Sequence, residues 1–473
     1  MAAGTTRLVG DLARKIADLT DQAIREHLGP DSTFEQRQDL AAAVTADGLW
    51  FRSDRELHDA VTTALDVEVA GRRYHRLEQA SSATYHGRWG SHHIAEALYR
   101  EVGVHNGPTI KPLELRVGII EHMTPDLARI VGELSAEHSS RAVERALRTT
   151  GLVPPSRAFL AKRTTAMATE IADAIETCEQ AARDAERLPT DVGSVSCGLD
   201  RMAVRMSELV DGESPPPATR TEPYVRTPPP EKAHHYRMAW VGSTSIYDKQ
   251  GTELHTWRYA AEASADPAVV AGRVAKDVAW IAATHRSVPI HCVQDGAPEL
   301  RALPDALTAT LPVDRIPVVL VDLEHLMGYL DDVVDACHPD GDVHDWKGWY
   351  RGRLLQDDAA IDHIWRKLRG VGTTLSGRGT KARNAVAAAL SYIRHRKSKM
   401  RYAAHYAANL PIGSGATEST CWQMQQRVKR PGQSWEIGLR GVLAMRGLAV
   451  SDRWVAAWQP YAATHRKEVR LAA

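Results

Sequence analysis

From about residue 192 the apolar residues stop recurring at helical spacing and fall into short runs, and this change constrains the fold more than any other feature. Three runs come in close succession: Ser194–Arg205, Tyr236–Tyr247 and Glu253–Tyr259, the last two joined by an Asp248-Lys-Gln-Gly turn. They read as an antiparallel meander. The segment Glu213–Glu231, between the first and second runs, is too rich in proline to join a sheet and is expected to be an extended excursion. A helix is expected over about 267–285, then a fourth strand ending at Asp295, another helix, and a fifth strand over Ile316–Asp322.

Three antiparallel strands followed by alternating helix and strand is the order of the ribonuclease-H-like fold. Residues 188–322 are therefore expected to form the first part of a mixed five-stranded sheet in an α/β core. Residues 323–409 read as a helical insertion with Gly-rich breaks, notably Gly370–Gly379, and residues 410–473 as helices that close the core. Residues 1–122 are expected to be mainly helical, from the spacing of Leu8, Leu12, Ile16, Leu19 and Ile24, ending in a loop-rich connector with a short strand over Leu113–Ile120. In residues 123–187, Thr124-Pro opens one helix, Ser140 a second, and a turn at Gly151 precedes a third from near Ser156. That outline fits a helix-turn-helix, which would bring Arg157, Lys162 and Arg163 to DNA.

Lys plus Arg and Asp plus Glu both number 59, so no global positive field draws in a polyanion. Any nucleic acid must be met by local clusters. One is Arg394, Arg396, Lys397, Lys399 and Arg401, a stretch without an acidic residue and suited to a DNA backbone. The five cysteines are scattered and never form Cys-x-x-Cys, which disfavours a disulfide framework and a structural zinc site. No stretch approaches the roughly 20 apolar residues that span a bilayer, and the N-terminus lacks a signal-peptide core. A cytoplasmic protein is expected, without membrane partners.

The candidate chemistry rests on acids. Asp200 and Asp295 are read at the ends of strand-like runs, and Glu418 opens a helix behind the flexible turn Gly413-Ser-Gly. With the first and fourth strands as neighbours, Asp200 and Asp295 would stand side by side and Glu418 would cross over them. Three carboxylates suit hard divalent cations, and two Mg²⁺ roughly 3.5–4 Å apart can stabilise both the attacking and the leaving oxygen of a phosphodiester. Asp322, beginning Asp-x-x-His325, also ends a strand and competes for a metal, but is expected rather to support the site or face DNA with His325. Beyond Glu418 the same helix face would present Trp422, Gln425 and Lys429, with Lys429 near a phosphate and Arg430 in the same basic stretch.

Asp295-Gly-Ala, Val-Asp322-Leu-Glu-His325-Leu, Ile412-Gly-Ser-Gly-Ala-Thr-Glu418, and Lys429-Arg-Pro-Gly-Gln-Ser-Trp435 through Asp452-Arg-Trp454 together resemble bacterial insertion-sequence transposases of the DDE class with a helical insertion. The likeness covers residues from about 110 to about 460. It implies Asp200, Asp295 and Glu418 as catalytic metal ligands, Mg²⁺ (or Mn²⁺) as cofactor, and transposon-end and target double-stranded DNA as partners. Bringing two DNA ends together implies at least a homodimer. The implied reaction is metal-dependent cleavage at transposon ends, then attack of the freed 3′-hydroxyl on target DNA. Two features depart from the pattern: Asp200 is followed by Arg201 where the family has Gly, and the basic residue expected seven positions after the glutamate is Gln425. The rivals are a ribonuclease-H-like nuclease or resolvase without strand transfer, and a domesticated DNA-binding protein that does not catalyse.

Overall fold

The computed structural model describes residues 3–209, 232–337, 343–374 and 379–472. The chain divides into two units, Met1–Glu170 with Trp458–Ala473, and Ile171–Ala457.

The first unit begins with helices α1 (Ala3–His27) and α2 (Phe34–Ala60) and continues with strands β1 (Asp66–Val69), β2 (Arg72–Gly87), β3 (Gly90–Glu101) and β4 (Thr109–Ile110). These four and a C-terminal strand, Val469–Leu471, make an antiparallel sheet in which the C-terminal strand pairs with β1. Helices α3 (Pro112–Val117), α4 (Pro125–Glu137), α5 (Ser140–Thr149) and α6 (Arg157–Asp173) follow.

Here the structure corrects the expectation of a mainly helical region with a loop-rich connector. Residues 72–101 are a long hairpin, and most of the expected strand at 113–120 is helix α3. The reason lies in the inward positions of β3, which are His92, Ile94, Glu96 and Tyr99. Two of the four are polar, so the period of two carries no clear apolar signal. Each has a partner inside through one atom: His92 Nδ1 lies 3.0 Å from Asp54, and the Tyr85 hydroxyl donates to Glu96. Helices α4 to α6 occupy the helix-turn-helix outline.

The second unit opens with α7 (Ile175–Ala185), then strands β5 (Ser194–Leu209), β6 (Lys232–Tyr247) and β7 (Glu253–Ala261). The β6–β7 turn forms as read: the Asp248 carboxylate accepts from the N–H groups of Gln250 and Thr252, and Gly251 takes the positive φ. Next come α8 (Pro267–Thr284), capped by Asp266 on the Ala268 N–H, β8 (Ile290–Gln294), α9 (Ala302–Thr310) and β9 (Val318–Val321). The sheet order is β7-β6-β5-β8-β9, antiparallel on the β7 side and parallel from β5 to β9. This is a mixed five-stranded α/β sheet. The expected excursion at 213–231 lies outside the described residues.

Helices α10 (Leu323–Cys337), α11 (Val343–Gln356), α12 (Ala360–Thr374) and α13 (Thr380–Arg396) follow β9 and share their own apolar core around Leu330, Leu354, Ile364 and Ile393, and the short α14 (Ala403–Ala407) comes after them. Part of the Gly-rich break, residues 375–378, lies outside the described residues. Helices α15 (Gly415–Val428) and α16 (Leu439–Ala449) then return to the sheet. One sheet face packs Cys197, Leu199 and Cys292 against α8 and α9, and the other packs Met202, Val204 and Val241 against α15 and α16. Burial of about 25 cal/mol per Å² of apolar surface on both faces holds this three-layer unit. Among the described residues no helix is long and apolar enough to cross a membrane.

Candidate metal centre

Register brings the acids together. In the parallel part of the sheet Val195 pairs with Ile290 and Cys197 with Cys292, while His291 pairs with Val318 and Gln294 with Val321. Carried on to the ends of β8 and β9, the same offsets set Asp200, Asp295 and Asp322 level across three neighbouring strands. The Asp322 N–H, donating to the Gln294 carbonyl at 2.9 Å, shows that the β8–β9 register persists this far. Side chains alternate along a strand. Because Cys197, Leu199, Cys292 and Val319 pack toward α8 and α9, all three aspartates fall on the opposite face, the one α15 crosses. Asp200 lies within β5 and not at a strand end, because β5 and β6 stay paired far beyond the short β8.

Helix α15 approaches closely because Gly198 has no side chain: a Cβ there would lie 2.2 Å from Thr417 Oγ1. Thr417 also shares a 2.7 Å hydrogen bond with Ser243 of β6. One residue on, Glu418 projects as an exposed carboxylate that accepts from Ser414 Oγ at 3.3 Å. The next turn brings the Cys421 thiol to Asp200 Oδ2.

Each aspartate is held differently. Asp200 accepts from the Arg201 N–H at 2.7 Å, and burial pushes its carboxyl up, with repulsion from Asp295 adding to the rise. Asp295 accepts from the Ala297 N–H at 2.7 Å across the turn at Gly296. That turn is clamped by α13: the Tyr392 hydroxyl donates to the Asp295 carbonyl at 2.7 Å, and Arg396 Nε to the Gly296 carbonyl at 2.9 Å. For Asp322 burial alone would raise the carboxyl. Contacts from His325 and the Ser414 N–H outweigh it and hold the group well below the ordinary carboxylate range. His325 is shifted the other way: its contact with Asp322 raises it against burial, and the charges of Asp295 and Glu418 add to the rise.

One atom each of Asp322, His325 and Glu418 lies within 4.8 Å of the others, a spacing suited to holding a metal ion. That group does not include Asp200 or Asp295, which share the sheet face with it. The spacing agrees with the competing metal role that the Asp-x-x-His sequence allowed for Asp322 beside the supporting one. Two cavities, of about 450 and 330 Å³, flank Glu418; Asp322 and Glu253 line the first, His325 and Asp332 the second, and Glu324 both.

The predicted basic contacts divide. Arg396 is spent on the Asp295 turn, Lys397 and Arg401 pair with Asp362, and Arg163 pairs with Glu121. Arg394, Lys399, Lys429, Arg157 and Lys162 are exposed, and Arg430 donates to the Gln426 carbonyl. The unexpected Arg201 pairs with Glu299 at 2.5 Å, joining β5 to the segment after Asp295. Trp422 is 57% exposed on the helix of Glu418. Tyr392 and Cys421 had no signal in the sequence, since their contacts exist only across distant elements.

No family model matches the chain, and no curated protein does.

Proposed function

We propose that this chain is a DDE-class transposase with a ribonuclease-H-like core, cutting DNA at the ends of a mobile element and joining the freed 3′-hydroxyl to target DNA. The observation that carries the reading is the level row of Asp200, Asp295 and Asp322 on three neighbouring strands, crossed by the helix of Glu418. The strand order, with the first strand beside the fourth, agrees with that core.

The donor set fits divalent ions: carboxylate oxygens are the hard ligands Mg²⁺ and Mn²⁺ prefer, and the adjoining cavities leave room for water and phosphate oxygens. Asp200 and Asp295 would hold one ion, and Glu418 another. Bound there, such ions would supply charge stabilisation for the attacking and leaving oxygens. The protein's own part is positioning. Asp322 stays ionised and fixes the turn before α15 through the Ser414 N–H, and Ser414 Oγ steadies Glu418. Tyr392 and Arg396 hold the Asp295 turn still. Arg394, Lys399 and Lys429 would meet the phosphate backbone, and Arg157 and Lys162 would do so in the first unit. DNA ends brought together by two or more copies are the natural substrate of such a centre.

The test is incubation of the chain with Mg²⁺ or Mn²⁺ and DNA carrying the repeats that flank its gene. Asp200→Ala, Asp295→Ala and Glu418→Ala should each lower cutting by about 10²-fold or more, the scale for losing one charge-stabilising group. Variants that cut as well as the parent would overturn the assignment. Cutting without joining of 3′-hydroxyl ends would identify a nuclease.

A further inference from the structure

We propose that Asp322, His325 and Glu418 form a mixed nitrogen and oxygen site for a divalent transition ion, so that the ion near Glu418 is chosen for Mn²⁺ over Mg²⁺. The inference rests on the reading of the acidic row as a metal centre, and adds to it the ligand that sets ion preference.

The geometry is the first ground. Donor atoms of all three residues lie within 4.8 Å of one another, and Asp322 Oδ1 to His325 Nδ1 is 3.6 Å. That is longer than a good hydrogen bond. In an octahedron with bonds of about 2.1 Å, neighbouring ligands stand about 3 Å apart and opposite ones about 4.2 Å. A small inward turn of two exposed side chains, His325 and Glu418, closes the set.

The second ground is how each donor is prepared. Asp322 is buried and fixed by the N–H groups of His325 and Ser414, so one ligand is in place before an ion arrives. Among the described residues the Glu418 carboxylate accepts one hydrogen bond, from Ser414, and so keeps free lone pairs. His325 is the third residue of α10, in its first turn, and it lines the smaller cavity together with Glu418. The set is thus open to that cavity. Imidazole suits first-row transition ions, whereas Mg²⁺ favours oxygen ligands and keeps its waters. An all-carboxylate site would not discriminate in this way.

Mn²⁺ alone is the probe, added to the full metal-free chain and followed by electron paramagnetic resonance. Nitrogen-14 modulation of the bound Mn²⁺ signal is expected in the parent and should vanish in His325→Gln. The Mn²⁺ dissociation constant should rise roughly tenfold or more in that variant, the scale for disturbing a metal-bound imidazole, while that of Mg²⁺ shifts by less than about threefold. Glu418→Gln, at another exposed position, should weaken Mn²⁺ binding but keep the nitrogen signal. Mn²⁺ bound without nitrogen modulation, unchanged Mn²⁺ affinity in His325→Gln, or no Mn²⁺ binding at millimolar concentration each overturns the inference. The transposase reading is judged separately by Mg²⁺-dependent cutting: if Asp295→Ala still cuts DNA in Mg²⁺, that reading falls, and if cutting is lost there it stands whatever the Mn²⁺ measurements on His325→Gln show.

Discussion

The thiol of Cys421 lies 3.5 Å from Asp200 Oδ2, one turn beyond Glu418, so the helix bearing the last acid is tied at that point to the strand bearing the first. The positions of Glu418 and Asp200 are therefore coupled through packing of α15 on the sheet, and any change that lifts the helix separates them.

Gly198 is the most sensitive point of that contact. A Cβ there would meet Thr417 Oγ1 at 2.2 Å and the Val293 carbonyl at 2.8 Å, and neither the helix nor the sheet backbone can give way cheaply. Gly198→Ala should destabilise the chain by about 1–3 kcal/mol, as overpacking does, and should lower DNA cutting further than stability alone explains. Urea denaturation with a cleavage assay below the transition checks both. An unchanged midpoint would mean that α15 docks elsewhere.

The two outer aspartates of the row should affect stability in opposite directions with pH. Burial raises the Asp200 carboxyl, so the folded chain binds that proton more tightly than the unfolded one, and stability falls as pH rises from about 4 through the folded value. Asp200→Asn should therefore raise the thermal midpoint of metal-free protein at pH 7 while abolishing cutting. Asp322 is held low, so its contribution is present above the unfolded value of about 4 and is lost as pH drops below it. Asp322→Asn should cost about 1–3 kcal/mol at pH 7 by spoiling a buried charged acceptor, with the deficit shrinking in acid. Thermal scans from pH 3 to 8 in a chelator read both signs.

Arg453, in the trailing motif, is structural. Its guanidinium is 1% exposed, 2.5 Å from Asp277 and 2.8 Å from Glu186, while Asp277 also accepts from Arg183 and from the Tyr259 hydroxyl. Arg453→Met leaves buried carboxylate charge short of a partner and should cost about 3–5 kcal/mol in chemical denaturation. A loss under about 1 kcal/mol would show that Arg183 and Tyr259 together satisfy Asp277.

The basic cluster should split by function. Arg394 and Lys399 are exposed and make no ion pair among the described residues, whereas Lys397 and Arg401 hold Asp362. Replacing Arg394 and Lys399 by Ala should reduce the slope of log affinity for DNA against log salt by roughly two, about 0.9 per phosphate contact. Stability should not change. The Lys397→Ala and Arg401→Ala pair should alter the salt slope less. Equal slopes for the two double variants would remove the distinction.

Local pattern alone determined much of this protein. The periods of two and 3.6 placed the meander, the helix over 267–284, the strands ending near Asp295 and Asp322, and the helix that Glu418 opens, because periodicity records which side of an element meets the core. The hairpin at 72–101 escaped that signal, since His92 and Glu96 fill inward positions normally held by apolar residues. Tertiary structure alone decided the site. Only the pairing of β5, β8 and β9 sets Asp200, Asp295 and Asp322 level, and only the close approach at Gly198 brings Glu418 over them, within 4.8 Å of ligand atoms of Asp322 and His325. Register and helix docking are fixed by contacts between residues distant in the chain, such as His291 with Val318, Cys197 with Cys292 and Gly198 with Thr417, and a linear sequence carries no local trace of such pairings.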